Sequence, residues 1–149
     1  MRIVDFDPAS GQAFQGDVSI VPVPAKLVAS LSRHDETQPI DGRLILQEGE
    51  ISGHHHAVYF RDDGLARSLA TAAAVPVARL YRDASLGAWM AGRDGPLTRS
   101  DLIVGFLDVQ RGPVVVSHEE HDGIRLPVGL YCIGRQVESA GAEERRVQD

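Results

Sequence analysis

Apolar and polar residues change places with a period of two along much of this chain, the period of a strand whose faces differ in environment. Asp17-Val18-Ser19-Ile20-Val21-Pro22-Val23-Pro24 alternates and is rich in β-branched residues, which predicts a strand. Its two prolines, which cannot donate to a ladder, predict a sheet edge or a strand end. Arg43-Leu44-Ile45-Leu46-Gln47 reads as a second strand, Glu48 to Gly53 as a turn with two glycines, and residues 54–60 as the returning arm of a hairpin. Leu102-Ile103-Val104-Gly105-Phe106-Leu107-Asp108-Val109 is almost continuously apolar, the pattern of a strand covered on both faces. Val114-Val115-Val116-Ser117-His118, Ile124-Arg125-Leu126 and residues 130–137 complete the set, separated by the turn signals Gly112-Pro113, Asp122-Gly123 and Pro127-Val128-Gly129.

Helical periodicity is confined to the middle of the chain. Asp63 can cap a helix whose apolar side is Leu65, Leu69 and Ala72 or Ala73, ending before Pro76 because a residue preceding proline disfavours helical geometry. Residues 77–81 predict a strand and 85–90 a short helix; Leu27 to Leu31 predict a helical turn and Arg33 to Gly42 a loop. The first fifteen residues offer a turn cluster around Pro8-Ala9-Ser10-Gly11 and no clear strand. The expected architecture is a mainly β (β-rich α+β) single domain over residues 1–138, a small barrel or sandwich with one or two helices inserted between residues 61 and 100. A flexible tail is expected over 139–149, where almost nothing is available to bury.

Composition narrows the function classes. A chain of 149 residues can bury roughly two thirds of its extended surface without staples. The longest apolar runs fall far short of the ~20 residues that span a bilayer, and the first residues lack the apolar core of an export signal, so the expectation is a cytoplasmic protein outside the membrane. With 21 acids against 15 bases, net charge −6, and the bases scattered, nucleic acid is an improbable partner on electrostatic grounds. One cysteine, Cys132, removes disulfides and cysteine-rich zinc sites from consideration and reads as a small core residue.

The chemistry gathers in the histidines. Five of six lie in two clusters, His54-His55-His56 and His118…His121, each beside a glycine turn at a predicted strand end. Strand alternation sends His54 and His56 to one face and His55 to the other. His118 and His121 converge only where the chain bends or bulges ahead of Asp122-Gly123. If folding unites the clusters, His54, His56, His118 and His121 form the ligand set of a divalent transition metal: zinc first, iron or nickel as alternatives, since borderline cations take imidazole nitrogen. Three imidazoles plus a carboxylate from Glu120 or Glu119 are the alternative set; with only three protein ligands, Glu120 is the candidate general base toward a metal-bound water. Against this stands the plainer reading of an exposed polar strand end, with Glu119 and Glu120 facing solvent or paired with arginine.

Gly49-Glu50-Ile51-Ser52-Gly53-His54-His55-His56, then His118-Glu119-Glu120-His121-Asp122-Gly123-Ile124-Arg125-Leu126-Pro127-Val128-Gly129-Leu130-Tyr131, then Arg135-Gln136-Val137-Glu138 resemble a group of small uncharacterised bacterial proteins with the motifs GE(I/V)xGHxH, HEEHxxIxLPxGxY and RQxE. The resemblance implies that His54, His56, His118 and His121 belong together, and it carries no activity. A looser similarity to cupins rests on His54-His55-His56 and Pro127-Val128-Gly129; the chain lacks the glutamate and the later histidine of the cupin motifs, so this similarity implies at most a cupin-like barrel.

The expectation is therefore a metal-binding β-protein, a metal-dependent hydrolase or oxygenase acting on a small-molecule substrate. The competing class is a non-catalytic β module with a structural or sensory metal, or an interaction domain without one. An exposed edge at Val18 to Val23 would allow a homodimer.

Overall fold

In the computed structural model the described residues are 2–7, 9, 11–40, 42–48, 55–59, 77–83, 86, 103–135, 137–140 and 143–146. His54 and the helix expected over residues 63–75 lie outside them, as does all of the 85–90 helix except Leu86. Two sheets face each other as a sandwich. The first runs in the order β1 (Ile3–Asp5), β10 (Gly123–Leu126), β9 (Val114–Ser117), β6 (His55–Tyr59), β5 (Arg43–Glu48). The second runs β2 (Ala13–Gln15), β3 (Val18–Pro22), β11 (Gly129–Arg135), β8 (Ile103–Val109), β7 (Ala78–Arg82), β4 (Asp35–Thr37). Among the described residues each sheet ends in two unjoined edge strands, so the fold is a mainly β sandwich and not a closed barrel.

The alternation read from the chain sorts side chains between two cores. Inward positions of both sheets, Val18 and Ile20, Leu44 and Leu46, Val58, Leu80, Leu107 and Val109, Val114 and Val116, Leu126, Tyr131 and Ile133, form the layer between the sheets. On the opposite face of the second sheet Val21, Phe106 and Cys132 pack with Val23, Tyr81, Leu86 and Leu27, the last from a 3-10 helix at Ala25–Ser30. Having a core on each face explains the unbroken apolar run of β8: alternate residues serve different cores, and neither face is left to water.

Several expectations change. Val18–Pro22 is not an edge, because residues 13–15 fold back through a tight turn at Gly16 and Asp17 and pair with it, Gln15 opposite Val18. Gly16 sits at φ 55, a left-handed conformation that glycine adopts without strain. The turn cluster near the amino end hid both β2 and β1, and β1 pairs in parallel with β10, a long-range partnership invisible in local pattern. Towards the carboxyl end β12 (Val137–Ala140) and β13 (Glu143–Arg146) pair with each other as a separate two-stranded sheet. Asp35–Thr37, inside the predicted loop, adds a short edge strand against β7. No helix among the described residues is long and apolar enough to cross a membrane.

Candidate functional site

Strand register brings the two histidine clusters together. β6 and β9 are antiparallel neighbours with Ala57 opposite Ser117 and Val58 opposite Val116, and one step further along that register His56 faces His118. Both continue inward rows: His56 lies two residues from the core residue Val58, and His118 two from Val116. Past Ser117 the chain leaves the strand and bends, which returns His121 to the same place. The ring centroids are 4.3 Å apart for His56 and His118, 4.5 Å for His118 and His121, and 6.2 Å for His56 and His121. His56 is fully buried, His118 is 4% exposed, and the half-buried His121 keeps its Nε2 shielded from solvent. His55 points away from this cluster, as alternation requires, and its side chain is 24% exposed.

The facing sheet supplies two polar groups that sequence reasoning missed. The β2–β3 hairpin carries Gln15 and Asp17, each 2% exposed, on either side of Gly16. Gln15 Nε2 donates to the Val116 carbonyl at 3.0 Å and the Asp122 carbonyl at 2.7 Å, so its amide hydrogens tie one sheet to the other. With both N–H groups committed, Gln15 Oε1 can only accept, and the 2.9 Å contact to His56 Nδ1 fixes a proton on that nitrogen. The other ring nitrogen, Nε2, lies 3.0 Å from Asp17 Oδ1. A nitrogen lone pair and a carboxylate oxygen repel at that distance, so positive charge must lie between them, supplied by a proton or by a metal ion. Metal-ligating histidines likewise donate their second ring N–H to an oxygen acceptor.

The 118–121 segment is pinned by its own glutamates. Glu119 accepts the His55 backbone N–H at 3.0 and 3.3 Å, and its carboxylate lies 4.0 Å from His118 Nε2. The Glu120 N–H donates to His118 Nδ1 at 3.0 Å, which leaves the neutral ring's own proton on Nε2. Glu120 thus meets the cluster through its backbone, and its side chain is exposed. The donors are gathered without being aimed at one point: among the described residues no group of three or more His, Cys, Asp or Glu side chains is positioned, as it stands, to hold a metal ion. Of the expected ligands, His56, His118 and His121 come together, and His54 is outside the described residues.

A cleft of about 420 Å³ opens between the edge strands β1 and β2 and reaches the cluster from solvent, with His121 and Gln15 in its wall beside Phe6, Phe14 and Asp122. Nothing local in the sequence marked Gln15 or Asp17. The one available signal was a pair of amide and carboxylate residues flanking a glycine at the start of an apolar strand, which reads equally well as an exposed turn.

No family model matches this chain, and no curated protein or solved structure matches it either.

Proposed function

We propose that this protein binds a divalent transition metal, zinc most readily, between its two sheets, with His56, His118 and His121 as imidazole donors and Asp17 as the carboxylate donor. The observation that carries the reading is the gathering of the buried His56 and His118 rings and the half-buried His121 ring at the end of an apolar core, with the buried Asp17 carboxylate 3.0 Å from His56 Nε2, where polar groups are costly unless a partner or a cation stabilises them. Asp17, rather than Glu119 or Glu120, supplies the carboxylate of the three-imidazole set. Three nitrogens and one oxygen suit zinc, which accepts tetrahedral mixed shells; iron and nickel follow, and calcium and magnesium, which favour all-oxygen shells, do not. Loading displaces the proton held between His56 and Asp17 and reorients His118, whose Nε2 is the protonated nitrogen in the metal-free hydrogen-bond pattern.

The test is zinc retention by untagged protein after gel filtration, measured by elemental analysis in parallel for single variants. One zinc per chain is expected for the parent and for His55→Ala. Asp17→Asn is expected to lose about a hundredfold or more in affinity, at least the effect of removing an outer-shell partner, while keeping its fold, since the asparagine amide can donate to His56 Nε2. Equal zinc retention by Asp17→Asn, His118→Gln and the parent would move the metal to exposed histidines and end the proposal.

A further inference from the structure

The cleft beside His121 has walls of a definite character. Phe14, 50% exposed, and Val4, 39% exposed, offer apolar surface to solvent, and the buried Phe6 lies behind them. The polar lining is Gln12, Gln15, His121 and three carboxylates, Asp5, Asp7 and Asp122, with no lysine or arginine among the lining residues. Arg125 bonds Asp5 at 2.6 Å and Arg2 lies 3.9 Å from Asp122, which reduces the negative potential without reversing it. A volume of about 420 Å³ is within the range of small-molecule sites. His121 and Gln15 belong both to this cleft and to the buried cluster, so a molecule seated in the cleft meets the wall of the cluster.

We infer that the cleft is the binding site for a small uncharged or basic molecule with an apolar body, and that such a ligand reaches, from the His121 side, a fifth coordination position on the metal beyond its four protein donors. This deepens the metal reading and rests on it. The apolar body lies against Phe14 and Val4, and a nitrogen or oxygen lone pair points inward past His121. Carboxylates and phosphates are excluded by the aspartates at the mouth, which face an incoming anion with no cation in the wall. A shell fixed at its four protein ligands would ignore such a molecule; one that expands to five-coordinate changes its coordination when the molecule arrives.

The experiment uses the full chain loaded with one equivalent of cobalt(II), whose visible absorption reports coordination number. 4-Phenylimidazole, uncharged and carrying a nitrogen donor on an apolar body, is titrated in parallel with 3-phenylpropionate, an anion of similar size. The expected result is a saturable spectral change with 4-phenylimidazole and none with 3-phenylpropionate. Phe14→Ser, at an exposed position, is expected to leave the ligand-free cobalt spectrum unchanged and to weaken 4-phenylimidazole about tenfold. Cobalt uptake with a spectrum indifferent to 4-phenylimidazole, a response equal for the anion, or unchanged affinity in Phe14→Ser overturns the cleft assignment and leaves the metal reading standing. Failure to take up cobalt overturns the metal reading, and this inference falls with it.

Discussion

Gln15 is a joint of the site, because one buried amide serves the Val116 carbonyl, the Asp122 carbonyl and His56 at once. Gln15→Leu keeps the volume and removes all three bonds, leaving two carbonyls and an imidazole N–H without that partner in a dry place. The expected cost is about 2–4 kcal/mol, from the penalty of stranding buried polar groups, read as a lower urea midpoint with unchanged slope. A loss below about 0.5 kcal/mol, the range of an ordinary surface substitution, would mean that the amide does not join the sheets. At this scale the chain was only half legible. The histidines declared themselves because imidazoles are scarce and clustered, and period-two alternation separated His55 from His56. Gln15 and Asp17 did not, because their meaning depends on a partner about forty residues away whose sheet faces theirs.

Between β8 and its neighbours, backbones approach as closely as glycine permits. A Cβ on Gly105 would stand 2.1 Å from the Tyr81 carbonyl oxygen, a backbone atom that cannot turn aside. Gly105 lies opposite Ile133 of β11, where the register then slips by one residue, so its small size fits a local irregularity in the ladder. Gly105→Ala is expected to destabilise by about 3 kcal/mol, in the upper range for overpacking, measured by chemical denaturation; a neutral result would show that β7 and β8 can separate freely. The strands that were legible, β3 and β5 to β11, have largely alternating or doubly buried apolar patterns bounded by turn residues. β1, β2 and β4 are three-residue strands that depend on distant partners, and nothing in three residues distinguishes them from loop. The edge predicted from the prolines at positions 22 and 24 failed for the same reason: proline marked the end of β3, while β2 covered its flank.

At the scale of the molecule, two cores make one stability, and Cys132 reports on the outer one. Burial in the apolar layer pushes its thiol up to about 12 from an ordinary value of 9.0. In the unfolded chain the thiol ionises from pH 9 upward while the folded protein holds it neutral, so stability is full below pH 9 and declines as pH rises toward about 12. Burial likewise raises the Tyr131 phenol, which adds to the alkaline loss. Native protein at pH 8 is expected to resist iodoacetamide and to react only after urea unfolding; rapid labelling without denaturant would mean that the layer over Cys132 opens readily. The central claim concerns the inner core and its polar end, where a metal would join the two sheets. X-ray absorption at the zinc edge of protein loaded with one equivalent tests it most directly. The account predicts a first shell of nitrogen and oxygen near ~2.0–2.1 Å, without sulfur, and with outer-shell scattering from three imidazoles that drops to two in His118→Gln. A shell with one imidazole or none, or one unchanged by His118→Gln, would contradict it.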